Sequence, residues 1–145
     1  MIEYIENNAR GSNVFYTDQE IESSKRAIYH IEWLCKKSLF TYKGYIQSIK
    51  KELKLSYQIP VYINDTHGFI PISRVKDYEN KWINWFAVHK IHSVSKGLDI
   101  EFISGRRLYI NYSVNRMQKR IEALMKIKSM KVNIFIFNDI EIISK

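Results

Sequence analysis

Few residues in this chain have the types and spacing that chemistry needs. Asp99 and Glu101 stand two apart, so on a strand they share one face as paired carboxylates. A nuclease would need a lysine at the proper offset, and none follows; the pair reads as the polar side of an amphipathic hairpin. His89 and His92 are spaced H-x-x-H, but on a strand that odd offset sends them to opposite faces. Four His and one Cys form no zinc pattern. Cys35 with a distant His could make a nucleophile pair, yet on an apolar stretch it reads as a small buried hydrophobe. The five glycines are scattered, and none belongs to a GxGxxG or GxxxxGK phosphate loop. The reading is a non-enzymatic protein without cofactor or metal.

Positive charge is what the chain does carry. Its 145 residues hold 23 Lys+Arg against 15 Asp+Glu, a net charge of +8. Residues 25–56 contain eight basic and two acidic side chains, and residues 101–131 repeat that ratio. Residues 1–24 are acidic, with Glu3, Glu6, Asp18, Glu20 and Glu22 against Arg10. Two basic stretches far apart in sequence become one patch if their elements pack side by side, and such a patch gathers polyanions. The length suits one domain over 1–145, and 46% hydrophobic content is enough to build a core. The opening MIEYIENN is no secretory signal, and no apolar run reaches the roughly 18 residues of a membrane span. One cysteine excludes an internal disulfide, as a reducing compartment would favour. A cytoplasmic, nucleoid-associated protein is expected, with no membrane partner.

The elements that must position these charges follow from periodicity. IEYI and NVFY read as strands around an NNARGSN turn. Thr17 with Glu20 has capping-box spacing and predicts a helix start. Residues 21–38 fit both a helical face through Ile21, Ile28, Ile31 and Cys35 and a strand alternation through Tyr29, Ile31, Trp33 and Cys35. Between 41 and 55, Tyr42, Tyr45, Ile46, Ile49 and Leu53 form one helical face. Lys43, Lys50, Lys51 and Lys54 fall in the adjoining arc, and Gly44 suggests that the helix begins after it. QIPVYIN and HGFIPIS flank a turn at Asp65-Thr66. KWINWFAVHKIHSV reads as one long central strand. LDIEFI and RLYINY flank a three-residue loop, Ser104-Gly105-Arg106, which leaves Arg106 and Arg107 at an exposed tip. Ser113 caps a second amphipathic helix over 114–129, with Arg116, Lys119, Arg120 and Lys126 opposite its apolar stripe. VNIFIF reads as a last strand. The class is α+β, a mostly antiparallel sheet with two amphipathic helices packed on it.

A thin hairpin tipped by Arg106 and Arg107 has the shape to enter the minor groove of DNA. Lys50, Lys51 and Lys54 with Arg116, Lys119 and Arg120 would then clamp phosphates on both sides. Asn84 and Asn111 are candidates for base edges. Trp82, Trp85 and Phe86 read as core or dimer surface rather than as base-stacking groups.

Four stretches, LSYQIPVYIN, HGFIPIS, KWINWFAVHKI and IEFISGRRLYINYSVNRMQKRIEAL, carry a resemblance to the competence transcription factor (ComK) family of Gram-positive bacteria. Pro60, Pro71, Trp82, Ile83, His89, Phe102, Gly105 and Ser113 fit its pattern, over about residues 28–128. The resemblance implies a sequence-selective regulator of DNA-uptake and recombination genes. It would bind A/T-rich double-stranded DNA through paired boxes in the minor groove, as a homodimer or a dimer of dimers. Some members meet a proteolytic adaptor through a tail that is not inferable here. Competing readings are a LytTR-like DNA-binding domain, a non-enzymatic adaptor or inhibitor that meets an acidic protein, and an RNA-binding module.

Overall fold

The computed structural model describes the backbone of residues 1–144 and the side chains of residues 1–131. It is α+β, as expected, and every strand pairing is antiparallel. β1 (Ile2–Asn8) and β2 (Gly11–Tyr16) form the expected first hairpin. Thr17 does not start a helix. Its hydroxyl donates to the Met1 carbonyl, and β3 (Glu20–Ser23) follows as an exposed strand on β2. The T-x-x-E spacing was a capping box only by coincidence, because no apolar periodicity follows it until residue 28.

The ambiguous segment resolves as α1 (Ala27–Lys37), with Ala27, Ile31 and Cys35 buried on one face. Its first free N–H, on Ala27, is capped from outside the helix by Asn7 Oδ1 at 2.8 Å. α2 (Tyr42–Leu53) begins before Gly44, because Thr41 Oγ1 accepts from the Gly44 N–H and caps the first turn. Tyr45 and Ile49 are buried beneath it. The Tyr45 hydroxyl donates to Pro60 O at 2.7 Å and accepts from Tyr62 N–H at 3.1 Å.

β4 (Val61–Asn64) and β5 (His67–Pro71) flank the Asp65-Thr66 turn. The long strand expected over 81–94 is broken into two. β6 (Lys81–Asn84) ends in a 3-10 turn over Trp85–Ala87, and β7 (Val88–Val94) leaves for a second sheet. Asn84 makes the break. Its Oδ1 accepts from Gly68 N–H (3.0 Å) and Phe86 N–H (3.2 Å), while its Nδ2 donates to Ile2 O (2.7 Å) and Thr66 O (2.8 Å). A continued strand could not place Phe86 N–H on that side chain. The six-stranded sheet therefore runs β3-β2-β1-β6-β5-β4, and the smaller one joins β7 to β8 (Gly97–Phe102) and β9 (Arg107–Ile110).

The pleat sorts the layers. Trp82 lies opposite Ile5, and Ile83 opposite Tyr4, so the two pairs face opposite sides of the large sheet. On the first side the Tyr42 ring of α2 meets Trp82 edge-on. On the second, Phe102 of β8 stacks on Tyr4, which stacks in turn on Phe15. The large sheet is thus covered by helix on one face and, on the other, by the small sheet together with the C-terminal helix, whose Leu124 lies over Gly68.

The small hairpin has the odd-length loop that apolar register demanded. Leu98 pairs with Ile110 and Ile100 with Leu108, and the Gly105 N–H returns to Phe102 O. Its loop is Ile103-Ser104-Gly105, one residue earlier than expected, and Gly105 supplies the positive φ of 91° that the turn needs. α3 (Val114–Ser144) is capped by Ser113, whose Oγ accepts from Arg116 N–H at 3.1 Å. It continues through VNIFIF, where a last strand was expected. An apolar run alone does not separate the two states, and no Gly or Pro interrupts the chain between Ser113 and that run.

Candidate nucleic-acid interface

α2 stops at Lys54, which takes a left-handed φ of 56°. Four residues on, Gln58 does the same at 49°. Lys54 caps the end of α2 in that conformation, whereas at Gln58 the first turns of α3 determine it. Arg120 Nη1 donates to Tyr57 O at 3.0 Å and to Gln58 O at 3.2 Å. Arg116 Nη2 donates at 3.3 Å to Gln58 Oε1, which also accepts from the Tyr112 hydroxyl at 3.0 Å. The two guanidinium groups lie over aromatic rings, Arg116 over Tyr112 at 4.3 Å and Arg120 over Tyr57 at 5.3 Å. Burial raises the Tyr112 phenol above its ordinary range, and the two arginines oppose that rise.

This brace joins the two basic stretches. Lys50, Lys51 and Lys54 at the end of α2 and Arg116 and Lys119 at the start of α3 are all exposed. Lys50, Lys54 and Arg116 border a loop that presents Tyr57 to solvent, 61% exposed. Arg120 is half-buried and serves the loop backbone. Beside the loop, Lys50, Tyr57 and Gln58 share a shallow depression with Arg74. Arg74 is paired with Asp77 at 3.4 Å and lines a neighbouring polar depression with Asp77, Glu79, Lys81 and Asn111, and Asn111 lines a third with Lys96 and Arg116. Asn111 is exposed, as a base-edge contact would require.

The arginine hairpin is not the free wing that was expected. The tip folds back on β1, where Glu3 is fully buried. Arg106 Nε reaches Glu3 Oε1 at 2.9 Å, and Ser104 donates to the same carboxylate from its Oγ at 2.9 Å and its N–H at 3.3 Å. Arg106 Nη2 donates to Tyr16 O at 3.1 Å, and its guanidinium covers Phe15. A buried carboxylate must be paired, and Arg106 is what pairs it. Arg107 does face solvent but is held by Asp99, at 2.8 and 3.1 Å, with Glu101 at 3.6 Å. Those two carboxylates are the polar side of the hairpin.

Asn84 is also displaced from its expected role. It is fully buried with all four amide positions engaged, so it has no edge to offer a base. Trp82 is fully buried in the core, and Trp85 and Phe86 pack partly buried against it. Cys35 is buried, and burial pushes its thiol up to about 11, against the pull of Lys131. Among the described residues no cluster of His, Cys, Asp and Glu is arranged to hold a metal, and no helix is long and apolar enough to cross a membrane. Tyr57, Gln58 and Arg74 were not singled out from the sequence. The segment KLSYQIP has neither helical nor strand periodicity, and nothing local announces two left-handed non-glycine residues.

Comparison with known proteins adds one positive finding. The model of a family described as ComK protein matches residues 1–133, which takes in the acidic first strands that the resemblance over 28–128 left out. No curated protein and no solved structure matches.

Proposed function

The chain belongs to the ComK family of competence transcription factors, and from that premise we propose that it binds A/T-rich double-stranded DNA through the loop braced between α2 and α3. One observation carries the reading: the two basic stretches meet at Tyr57 and Gln58. In this reading Lys50, Lys51, Lys54 and Lys119 neutralise phosphates, each adding about 0.9 to the salt slope for duplex DNA. Arg116 and Arg120 act chiefly by holding the loop. Tyr57 is the aromatic side chain offered to the groove, its ring face available to a base and its hydroxyl to a hydrogen bond. Asn111 is the candidate for a base edge. The minor-groove preference and the paired-dimer arrangement come from the family resemblance, and a second copy would occupy the second box. Arg106 has no part in contact; Arg107 would reach a phosphate only by leaving Asp99.

A titration of the protein against three labelled 40-mers at several salt concentrations tests this. One duplex carries spaced A-tract and T-tract boxes, one is GC-rich, and one oligonucleotide is single-stranded. The expected result is at least about tenfold preference for the A/T duplex with a steep salt dependence. Tyr57→Ala should reduce that preference while the slope stays. Equal weak binding to all three would overturn the reading and favour an acidic protein partner.

A further inference from the structure

A second site lies away from this interface, between the body of α2 and α3. There a cavity of about 470 Å³ is walled by Phe40, Tyr45, Ile49, Ile127 and Met130, with Lys131 on its wall. That size is within the roughly 300–1,000 Å³ of small-molecule sites, and an apolar lining with one well-placed polar group is their usual make-up.

The lysine is the unusual part. Its Nζ sits 4.3 Å from the centre of the Phe40 ring, 5.2 Å from Tyr45 and 5.4 Å from Tyr62. Among the described residues its hydrogen bond goes to Tyr62 O at 3.3 Å. An ammonium has three donors, so two have no acceptor among the described residues. Among the described residues no carboxylate lies within ion-pair distance of it. Partial burial lowers its pKa from the ordinary lysine value, the direction expected of a partly desolvated cation. Three ring faces compensate in part; a carboxylate would complete the environment.

We propose that this cavity binds an amphipathic monocarboxylate, its acyl chain or aryl body against Ile49, Ile127 and Met130 and its carboxylate on Lys131. Glu52 at the cavity wall selects against polyanions, because a second negative charge on the ligand would meet it. The site is therefore distinct in chemistry from the DNA surface, and it stands whether or not the chain binds DNA.

Calorimetric titration of the full chain with decanoate, decanol and decylamine, each below its aggregation threshold, tests the proposal. Decanoate should bind saturably with one site, at least about tenfold tighter than decanol, the scale of one charge-assisted contact. Decylamine should be weakest. Lys131→Met should bring decanoate to the level of decanol, Lys131→Arg should keep the preference, and Ser48→Trp, which fills the cavity mouth, should abolish both. Circular dichroism melts establish that each variant is folded. Equal affinity for decanoate and decanol, a preference that survives Lys131→Met, or no saturable binding to the wild type would each overturn it.

Discussion

Arg106 and Arg107 are adjacent in sequence and alike in chemistry, and the structure gives them unequal stability roles. Glu3 has no exposure and depends on Arg106 and Ser104 for its partners. Removing one member of a buried ion pair strands the other's charge. Arg106 itself is 28% exposed, so Arg106→Ala should cost about 2–3 kcal/mol rather than the full buried-pair penalty. Arg107→Ala removes a surface pair, which solvent screens, and should cost clearly less than Arg106→Ala. Urea unfolding midpoints will separate the two. If Arg106 instead entered a DNA groove, its alanine variant would keep its midpoint and lose DNA affinity. The order of effects in the two assays thus distinguishes a structural arginine from a reading one. From sequence alone, two arginines beside a turn looked equally free, because the carboxylate that claims one of them lies about a hundred residues away. Local pattern sees a hairpin but not what its tip rests on.

Between elements, His67 ties the start of β5 to the start of β1. Its Nε2 accepts from the Ile2 N–H at 3.3 Å, while Nδ1 lies 2.8 Å from Thr66 Oγ1. That arrangement requires a neutral ring, and burial lowers its pKa below the ordinary histidine value. The unfolded chain takes up a proton near pH 6.5 and the folded one resists it. The stability involved is fully present above about pH 6.5 and is lost as pH falls through the folded pKa. His67→Gln keeps a side-chain acceptor without titrating, so its unfolding free energy should decline less between pH 7 and 5.5 than that of the wild type. The decline left over belongs in part to His30, which burial shifts the same way. The elements most legible in the sequence were those with one apolar face, α2 and the β8–β9 hairpin, since periodicity reports burial directly. The break at Asn84 was illegible because apolar residues run on through it, from Trp82 and Ile83 to Trp85, Phe86, Ala87 and Val88. What divides them is a side chain whose four partners lie on β1, β5, their flanking turn and the chain just ahead. The helix at 27–37 was hidden for a related reason: its cap is Asn7, on another element.

Over the whole molecule the charge is sorted across the large sheet. β3, with exposed Glu20 and Glu22, forms one edge. β4 forms the other, and the braced loop with its lysines leads directly into it. A molecule polarised this way meets a polyanion with its basic edge first. The triple variant Lys50→Ala, Lys54→Ala, Lys119→Ala should lower the salt slope of DNA binding by about 2.7. Arg10→Ala with Lys90→Ala, equally exposed but outside the patch, should leave that slope unchanged. The same strand order governs how the chain reaches this shape. β1 joins its two halves, pairing with β2 just ahead of it and with β6, where Tyr4 meets Ile83. The hairpins close over short loops and can form early, but the β1–β6 seam must wait for a search across half the chain. Until it closes, two partial sheets present raw edges to each other and to neighbouring molecules. Folding speed and the risk of aggregation in dense solution are therefore set at that one seam.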